Sequence, residues 1–452
     1  MRKFALSTLA LAAALLASPV LAQEAPPAVD ASVPVAQSTG WWHALRDPVL
    51  SALIMQGLDA NLDIEQAHER ILRSQALVAG ARAEFGPSGS VGVQGRAAQA
   101  SEAEAPGLTR GERRTQSVAA AVEFSWEVDL FGRLGHQAAS AAQRLQASEA
   151  QLRGARLAVS AEVANAYFAL IGAREQLEIA RTVAANREST LRLVAARAGG
   201  GMAAPIDELR ARADVEAALA EIPVQEAAAR VATHRLAVLT GQSPSGFALP
   251  TSGTVAPAAI AIPLPATDAW LAQRPDVQEL EAELRARALD VKAVRAEFYP
   301  RLTFSGLLGF VAGSVSAIGT GGSLSWLSAP SLLTPLFDRP RIEARLAAAK
   351  AGEKEVLAAY RQRLLLATED LENALARYGS GQQQFQNLQR RTQHASEAER
   401  LSRVRYEAGA ADLLELLDAQ RTAQQAQGAL SATLTQQRQN LVAVFRGMGL
   451  GA

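Results

Sequence analysis

The chain has 452 residues, and its 45 basic and 45 acidic side chains cancel. That balance excludes a basic nucleic-acid surface and an acidic solvating tail as organising features. Aromatic residues make up only 5% and cysteine is absent, which removes disulfides, thiolate chemistry, zinc–thiolate sites and an N-terminal lipid thioether. The abundance of alanine favours close helix–helix approach over a thick aromatic core.

In chain order, residues 1–22 read as a secretory signal. Arg2 and Lys3 form the basic region, residues 4–17 the apolar stretch, and Val20-Leu21-Ala22 the small-residue cleavage site before Gln23. The apolar run is shorter than the ~20 residues of a spanning helix. Residues 23–40 are Pro/Ala-rich and expected to be extended. No later stretch reaches spanning length, so the mature chain either stays in the periplasm or crosses a membrane as a β-barrel.

The rest of the chain is written twice. Residues 81–87 (ARAEFGP) recur as 294–300 (VRAEFYP), Asp63-Ile64 matches Asp276-Val277, and Ile71 matches Leu284. Leu130-Phe131 matches Leu336-Phe337, and residues 201–209 resemble 409–416. Each half therefore predicts a helix, a β-like stretch, a very long helix, a glycine turn and a returning helix. The first repeat covers residues 23–240 and the second 266–452. A strap at 241–265, rich in proline, joins them.

The β-like segments are expected at 88–99 and 116–128, within a hairpin at 88–128, and at 301–311 and 323–334, within a hairpin at 301–334. Val118, Ala120, Val122, Phe124 and Trp126 fall on one face, as do Leu302, Phe304, Gly306, Leu308 and Phe310. Alternating segments of this length suit transmembrane strands, although soluble hairpins packed on helices would share the pattern. Four strands cannot close a membrane barrel, so a barrel requires several copies; two would leave little lumen, whereas three would leave a channel.

Heptad spacing marks the long helices: Leu145, Leu152 and Val159, then after a four-residue stutter Val163, Leu170, Leu177, Ala184 and Leu191. Leu357, Leu364, Leu371, Tyr378 and Phe385 repeat it in the second half. Such helices, about 100 Å long, end at Gly199-Gly200-Gly201 and at Gly409, which read as C-cap glycines.

Catalytic constellations are missing from the sequence: it has no P-loop, no GxSxG and no HExxH. Its five histidines form no i,i+4 pair, so neither a metal site nor a cofactor is expected. Leu414, Asp418 and Arg421 share one helical face. Read without further context, Asp418 and Arg421 are a solvated intrahelical pair worth a few tenths of a kcal/mol.

Four motifs carry a family resemblance across nearly the whole mature chain. They are Trp41-Trp42 with Asp47-Pro48; the run from Trp126 to Arg133 (WEVDLFGR); Arg274-Pro275-Asp276-Val277 with residues 296–300; and Leu417-Asp418-Ala419-Gln420-Arg421. Together they resemble the TolC-like outer-membrane factors, in the NodT-like branch that serves resistance–nodulation–division pumps. The resemblance implies a homotrimer in outer-membrane lipid. Each protomer, mainly α with long antiparallel coiled-coil helices, would give four strands to one twelve-stranded barrel on an α-helical periplasmic tunnel. It implies an equatorial belt from the strap, and a passive exit duct for drugs, toxic organics or metal ions. A periplasmic adaptor and an inner-membrane pump would be the partners, and no nucleic acid. The alternative is the outer-membrane conduit of a type I protein secretion system, which shares the same tunnel. A periplasmic adaptor or structural coiled coil fits less well, because the chain has two helical hairpins and paired barrel-like strands. By the same resemblance, Leu414 and Asp418 form constriction rings at the tunnel tip. Arg421, Arg405 and Tyr406 hold it shut, and Asp207 and Arg210 occupy the corresponding turn of the first repeat. Many members of this branch carry a lipidated N-terminal cysteine, which this chain lacks.

Overall fold

The structure is a computed structural model describing residues 40–249 and 269–450. The expected signal segment at 1–22, and the strap beyond Leu249, lie outside these residues. Within them, two units are each compact: 73–145 with 283–356, and 40–72 with 146–249, 269–282 and 357–450.

A 3-10 turn at Trp41–Leu45 precedes α1 (Pro48–Ala60) and α2 (Leu62–Ala83). Strands β1 (Ser88–Gln99) and β2 (Arg114–Val128) follow, then α3 (Arg133–Gly199) and α4 (Pro205–Leu239). After the strap come α5 (Ala269–Gln273), α6 (Pro275–Ala296), β3 (Arg301–Ala312), β4 (Leu324–Leu333), α7 (Arg339–Glu407) and α8 (Leu413–Gly447). The plan of helix, hairpin, long helix and return helix thus occurs in each half. The opening helix of each half is two helices, because Asn61 and Arg274 interrupt it. Asn61 leaves helical geometry and donates its side-chain amide to the Leu239 carbonyl at 3.0 Å.

In the first unit, β1-β2-β3-β4 is an antiparallel meander in chain order. Val122 stands opposite Val91 and Leu308, and Leu308 opposite Trp326. Directly paired residues share a face. One face therefore holds Val91, Val93, Val122, Phe124, Leu308 and Trp326; the other holds Ser88, Ser90, Glu123, Ser125, Ser305 and Ser331. β1 and β4 are open edges. The hairpin loops lie at the end of the sheet away from the helix connections.

The helix α3 is 67 residues long and α7 69. Pro340 sits at the second position of α7, and Pro48, Pro205 and Pro275 open α1, α4 and α6. The missing N–H of proline costs nothing there, because first-turn donors have no helical partner. Leu371, Ala374 and Tyr378 are buried along one stripe of α7, as the heptads require. At the stutter of α3 the stripe widens: Val159, Ala161, Val163, Ala164, Tyr167 and Phe168 are all buried. They pack with Trp41, Leu50, Ile54 and Phe445 in the largest core cluster. The Trp41 ring stacks on Phe445 at 5.4 Å, and its indole N–H donates to the Ser160 hydroxyl at 3.3 Å. α8 crosses α3 so closely that a Cβ on Gly172 would meet the Thr435 hydroxyl oxygen at 2.3 Å.

Candidate functional site

The helical hairpins turn by one device used twice. At the α3–α4 turn, Gly201 has φ +71° and the Met202 N–H donates to the Arg197 carbonyl at 2.8 Å. At the α7–α8 turn, Gly409 has φ +78° and the Ala410 N–H donates to the Arg405 carbonyl at 2.8 Å. These are Schellman closures, in which a left-handed residue lets the chain satisfy the last helical carbonyls. Of Gly199, Gly200 and Gly201, only the last takes the left-handed conformation; Gly199 is the final helical residue.

α8 then starts on Asp412, whose carboxylate accepts from the Glu415 N–H at 2.8 Å. Arg405 braces this turn: it donates to Glu415 at 2.8 Å and to the Ala410 carbonyl at 3.2 Å. Its neighbour Tyr406 points the other way. That ring is buried with Val194, Ala211, Leu413 and Leu416, and the Arg197 guanidinium lies 4.6 Å from its centroid. The adjacent pair therefore has two jobs, one at the turn and one in the core.

Leu414 is exposed, and Arg421 donates to Asp418 at 2.5 Å with both side chains about two-thirds exposed. Leu414, Asp418 and Arg421 thus occupy one solvent-facing side of α8. Asp207 and Arg210 form the matching i,i+3 contact on α4 at 3.6 Å.

Sequence reasoning missed the inward side of the same motif. Gln420 is buried; its amide donates to the Thr190 hydroxyl at 2.9 Å, and its carbonyl accepts from Arg187, itself buried on α3. Burial pushes the Arg187 pKa down, opposed by the nearby charges of Asp214 and Glu399. The signal was present: Leu413, Leu416, Gln420 and Ala423 share a helical stripe.

The run from Trp126 to Arg133 resolves residue by residue. The Trp126 indole donates to the Phe85 carbonyl at 2.7 Å. Glu127 receives a two-pronged contact from Arg133 at 3.0 and 2.8 Å. Asp129 accepts from the Leu134 and Gly135 N–H groups, capping α3. Phe131 stacks on Tyr299 at 4.8 Å, and Gly132 takes φ +76°. These six positions together turn a strand into a helix.

Arg274 does comparable work in the second unit. Its side chain is only 9% exposed and contacts Asp276 at 2.7 Å, Asp370 at 3.3 Å and the Gly447 carbonyl at 3.0 Å. Burial works against its charge, but the two carboxylates outweigh that and raise its pKa above the ordinary arginine value. Burial likewise opposes ionisation of Asp276, and Arg274 with Arg363 overcomes it, holding that carboxyl below its ordinary range. Among the described residues, no three His, Asp or Glu side chains are grouped to hold a metal ion, and no helix is long and apolar enough to cross a membrane.

The family model described as "Outer membrane efflux protein" matches residues 53–242 and 267–450. The chain belongs to that family. It is 31% identical to the outer membrane protein OprJ of Pseudomonas aeruginosa over 415 residues, covering 91% of this chain and 86% of the relative. Nodulation protein T of Rhizobium leguminosarum bv. trifolii is 31% identical over 402 residues, covering 86% of this chain and 83% of that protein. Among solved structures, the outer-membrane channel OprN superposes with a TM-score of 0.85 at 33% identity, covering 91% of this chain and 92% of that one. The fold class expected from the sequence is therefore that of a known channel. The protein is an outer-membrane component of an efflux system and not an enzyme.

Proposed function

We propose that three copies of this chain close one twelve-stranded barrel and form a passive exit duct. A periplasmic adaptor and an inner-membrane pump supply its cargo and energy. The observation that carries the reading is the four-stranded meander with an apolar face, a polar face and two open edges. An unpaired strand edge is not tolerated in hydrocarbon. β4 and β1 run antiparallel, so each copy's β4 can pair with the next copy's β1. The two repeats, 23–240 and 266–452, each supply one hairpin of strands and one of helices. The cargo is small-molecule: relatives include a toluene efflux pump component of Pseudomonas putida at 28% identity and a pyoverdine export protein of P. aeruginosa at 30%.

Leu414, Asp418 and Arg421 form the gate face of this duct. Threefold repetition brings three Asp418 carboxylates together, which favours cations and opposes closure unless arginines compensate. The intrahelical Arg421–Asp418 contact supplies that compensation. Arg405 and Tyr406 act indirectly, one holding the α7–α8 turn and the other the core beneath it; Asp207 and Arg210 flank the other turn. Opening is within the family's reach, since the MtrE channel of Neisseria gonorrhoeae, 26% identical with a TM-score of 0.81, was crystallised in an open state. Native mass spectrometry in detergent should give a trimer. In planar bilayers, Arg421→Ala with Tyr406→Phe should raise single-channel conductance, and Asp418→Ala should lower cation preference. A monomer that inserts stably, or wild-type conductance and selectivity in both variants, would overturn the reading.

A further inference from the structure

The polar face of the sheet carries a single ionisable residue over its middle. Glu123 lies opposite Ser90 on β1 and Leu307 on β3, and Leu307 lies opposite Leu327 on β4. No basic side chain shares that row. Toward the loop end, the next charge on this face is Arg96, paired with Ser117. It is six positions along β2, about 20 Å away, beyond the ~8 Å screening length of physiological salt. Toward the helix end the next is Glu127, already engaged by Arg133. Glu123 is exposed and borders a recess of about 490 Å³ lined also by Ser88, Ser90, Ser125, Ser305 and Leu307.

The composition of the two faces fixes which one looks inward. The Glu123 face mixes serines, Gln94, Thr303 and glycine with Leu307, Val311, Leu327 and Leu333, whereas the opposite face gathers the aromatics Phe124, Phe304, Phe310 and Trp326 with Val91, Val93 and Leu308 and has no acidic residue. A carboxylate toward lipid is strongly disfavoured, while polar positions of a membrane strand face the lumen and tune selectivity. Gly92 and Gly309, with Ala121, occupy the next row on the same face, leaving the carboxylate unobstructed.

We propose that Glu123 sets a ring of carboxylates inside the barrel, a charge filter on a different element from the Asp418–Arg421 face, that favours cationic solutes and repels anions. The inference rests on the trimeric-barrel reading above. Because the ring faces water, its influence belongs to low salt, where the screening length is about 30 Å at 0.01 M, and fades near 1 M, where it is about 3 Å.

The test uses the full mature chain in planar bilayers under a potassium chloride gradient near 10 mM. Glu123→Gln should lower the K⁺/Cl⁻ permeability ratio about twofold or more, with the difference gone near 1 M salt. Glu123→Lys should carry it toward anions. Because the chain has no cysteine, Glu123→Cys supplies a unique thiol. In intact cells it should react with a membrane-impermeant cationic thiosulfonate added outside, and the reaction should cut the current. Conducting channels with unchanged selectivity in Glu123→Gln, or a Glu123→Cys thiol that only lipid-soluble reagents reach, would overturn the filter while leaving the duct intact. A wild-type chain that forms neither trimer nor conductance would overturn the duct itself.

Discussion

Replacing Arg274 with methionine tests whether this buried guanidinium ties the start of α6 to the middle of α7 and the end of α8. The stem of methionine keeps much of the packing volume, so the loss is mainly electrostatic. Removing one member of a buried ion pair costs about 3–5 kcal/mol. Here the carboxylates of Asp276 and Asp370 are 31% and 53% exposed, so water takes over part of their solvation and the expected cost falls to about 2–4 kcal/mol. The Gly447 carbonyl also loses its donor at the last turn of α8. Local opening of that turn and of the first turn of α6 should become about 30- to 1000-fold more frequent. Hydrogen exchange of peptides covering residues 441–448 and 275–280, read by mass spectrometry, measures this directly. Acid supplies a second arm. The Asp276 carboxyl is held below its ordinary value, so its stabilisation is complete above about pH 4 and is lost as pH falls through the lowered folded value. Wild type and Arg274→Met should therefore converge in strong acid. Exchange within about threefold of wild type at neutral pH would refute the argument.

Asp47→Ala should cost about 2–3 kcal/mol in thermal or denaturant unfolding of the solubilised protein, because Asp47 caps α1 through the Val49 and Leu50 N–H groups and accepts from the buried Tyr167 hydroxyl at 2.9 Å. The same variant should lower the Tyr167 pKa, which burial raises first and the Asp47 contact raises further, and ultraviolet titration of tyrosine reads that shift. Leu108→Cys, in the exposed loop between β1 and β2, should be labelled by an impermeant thiol reagent in intact cells; labelling only after the outer membrane is permeabilised would reverse the topology. That loop is braced by two S/T-x-x-E boxes, Ser101 with Glu104 and Thr109 with Glu112. Protection of the Ser101 and Thr109 amides from hydrogen exchange, relative to the intrinsic rate at each pH, should fall as pH drops through the lowered glutamate values, because the carboxylates that accept from them then take up protons.

The long helices were legible because sustained heptads report directly on coiled-coil seams, and the glycines at 199–201 and 409 mark where α3 and α7 end. Strand limits were legible to within about two residues, the difference being Arg114 and Thr115, whose polarity hides their membership of β2. The break at Asn61 was not legible, since nothing in residues 58–64 announces a side-chain contact to Leu239, far away in sequence. At the turn, spacing alone placed Leu414, Asp418 and Arg421 together. The stripe of Leu413, Leu416, Gln420 and Ala423 marks Gln420 as inward, but its partner Arg187 and the opposed orientations of Arg405 and Tyr406 depend on which helices flank α7 and α8, and periodicity within one helix does not encode that.

The ladder between β2 and β3 joins the two halves of one chain, Val128 standing opposite Leu302 and Val122 opposite Leu308. In a closed ring the joint between copies, β4 to β1, would be the same seam made between molecules. Carried across by the alignments that match Pro87 with Pro300 and Phe131 with Phe337, the internal ladder sets Leu332 of one copy opposite Val91 of the next, and Ser331 opposite Gly92. Apolar then meets apolar and small meets polar, so the faces continue unbroken around the ring. A threefold assembly would close as six near-equivalent hairpins, with its intermolecular register already written inside each molecule.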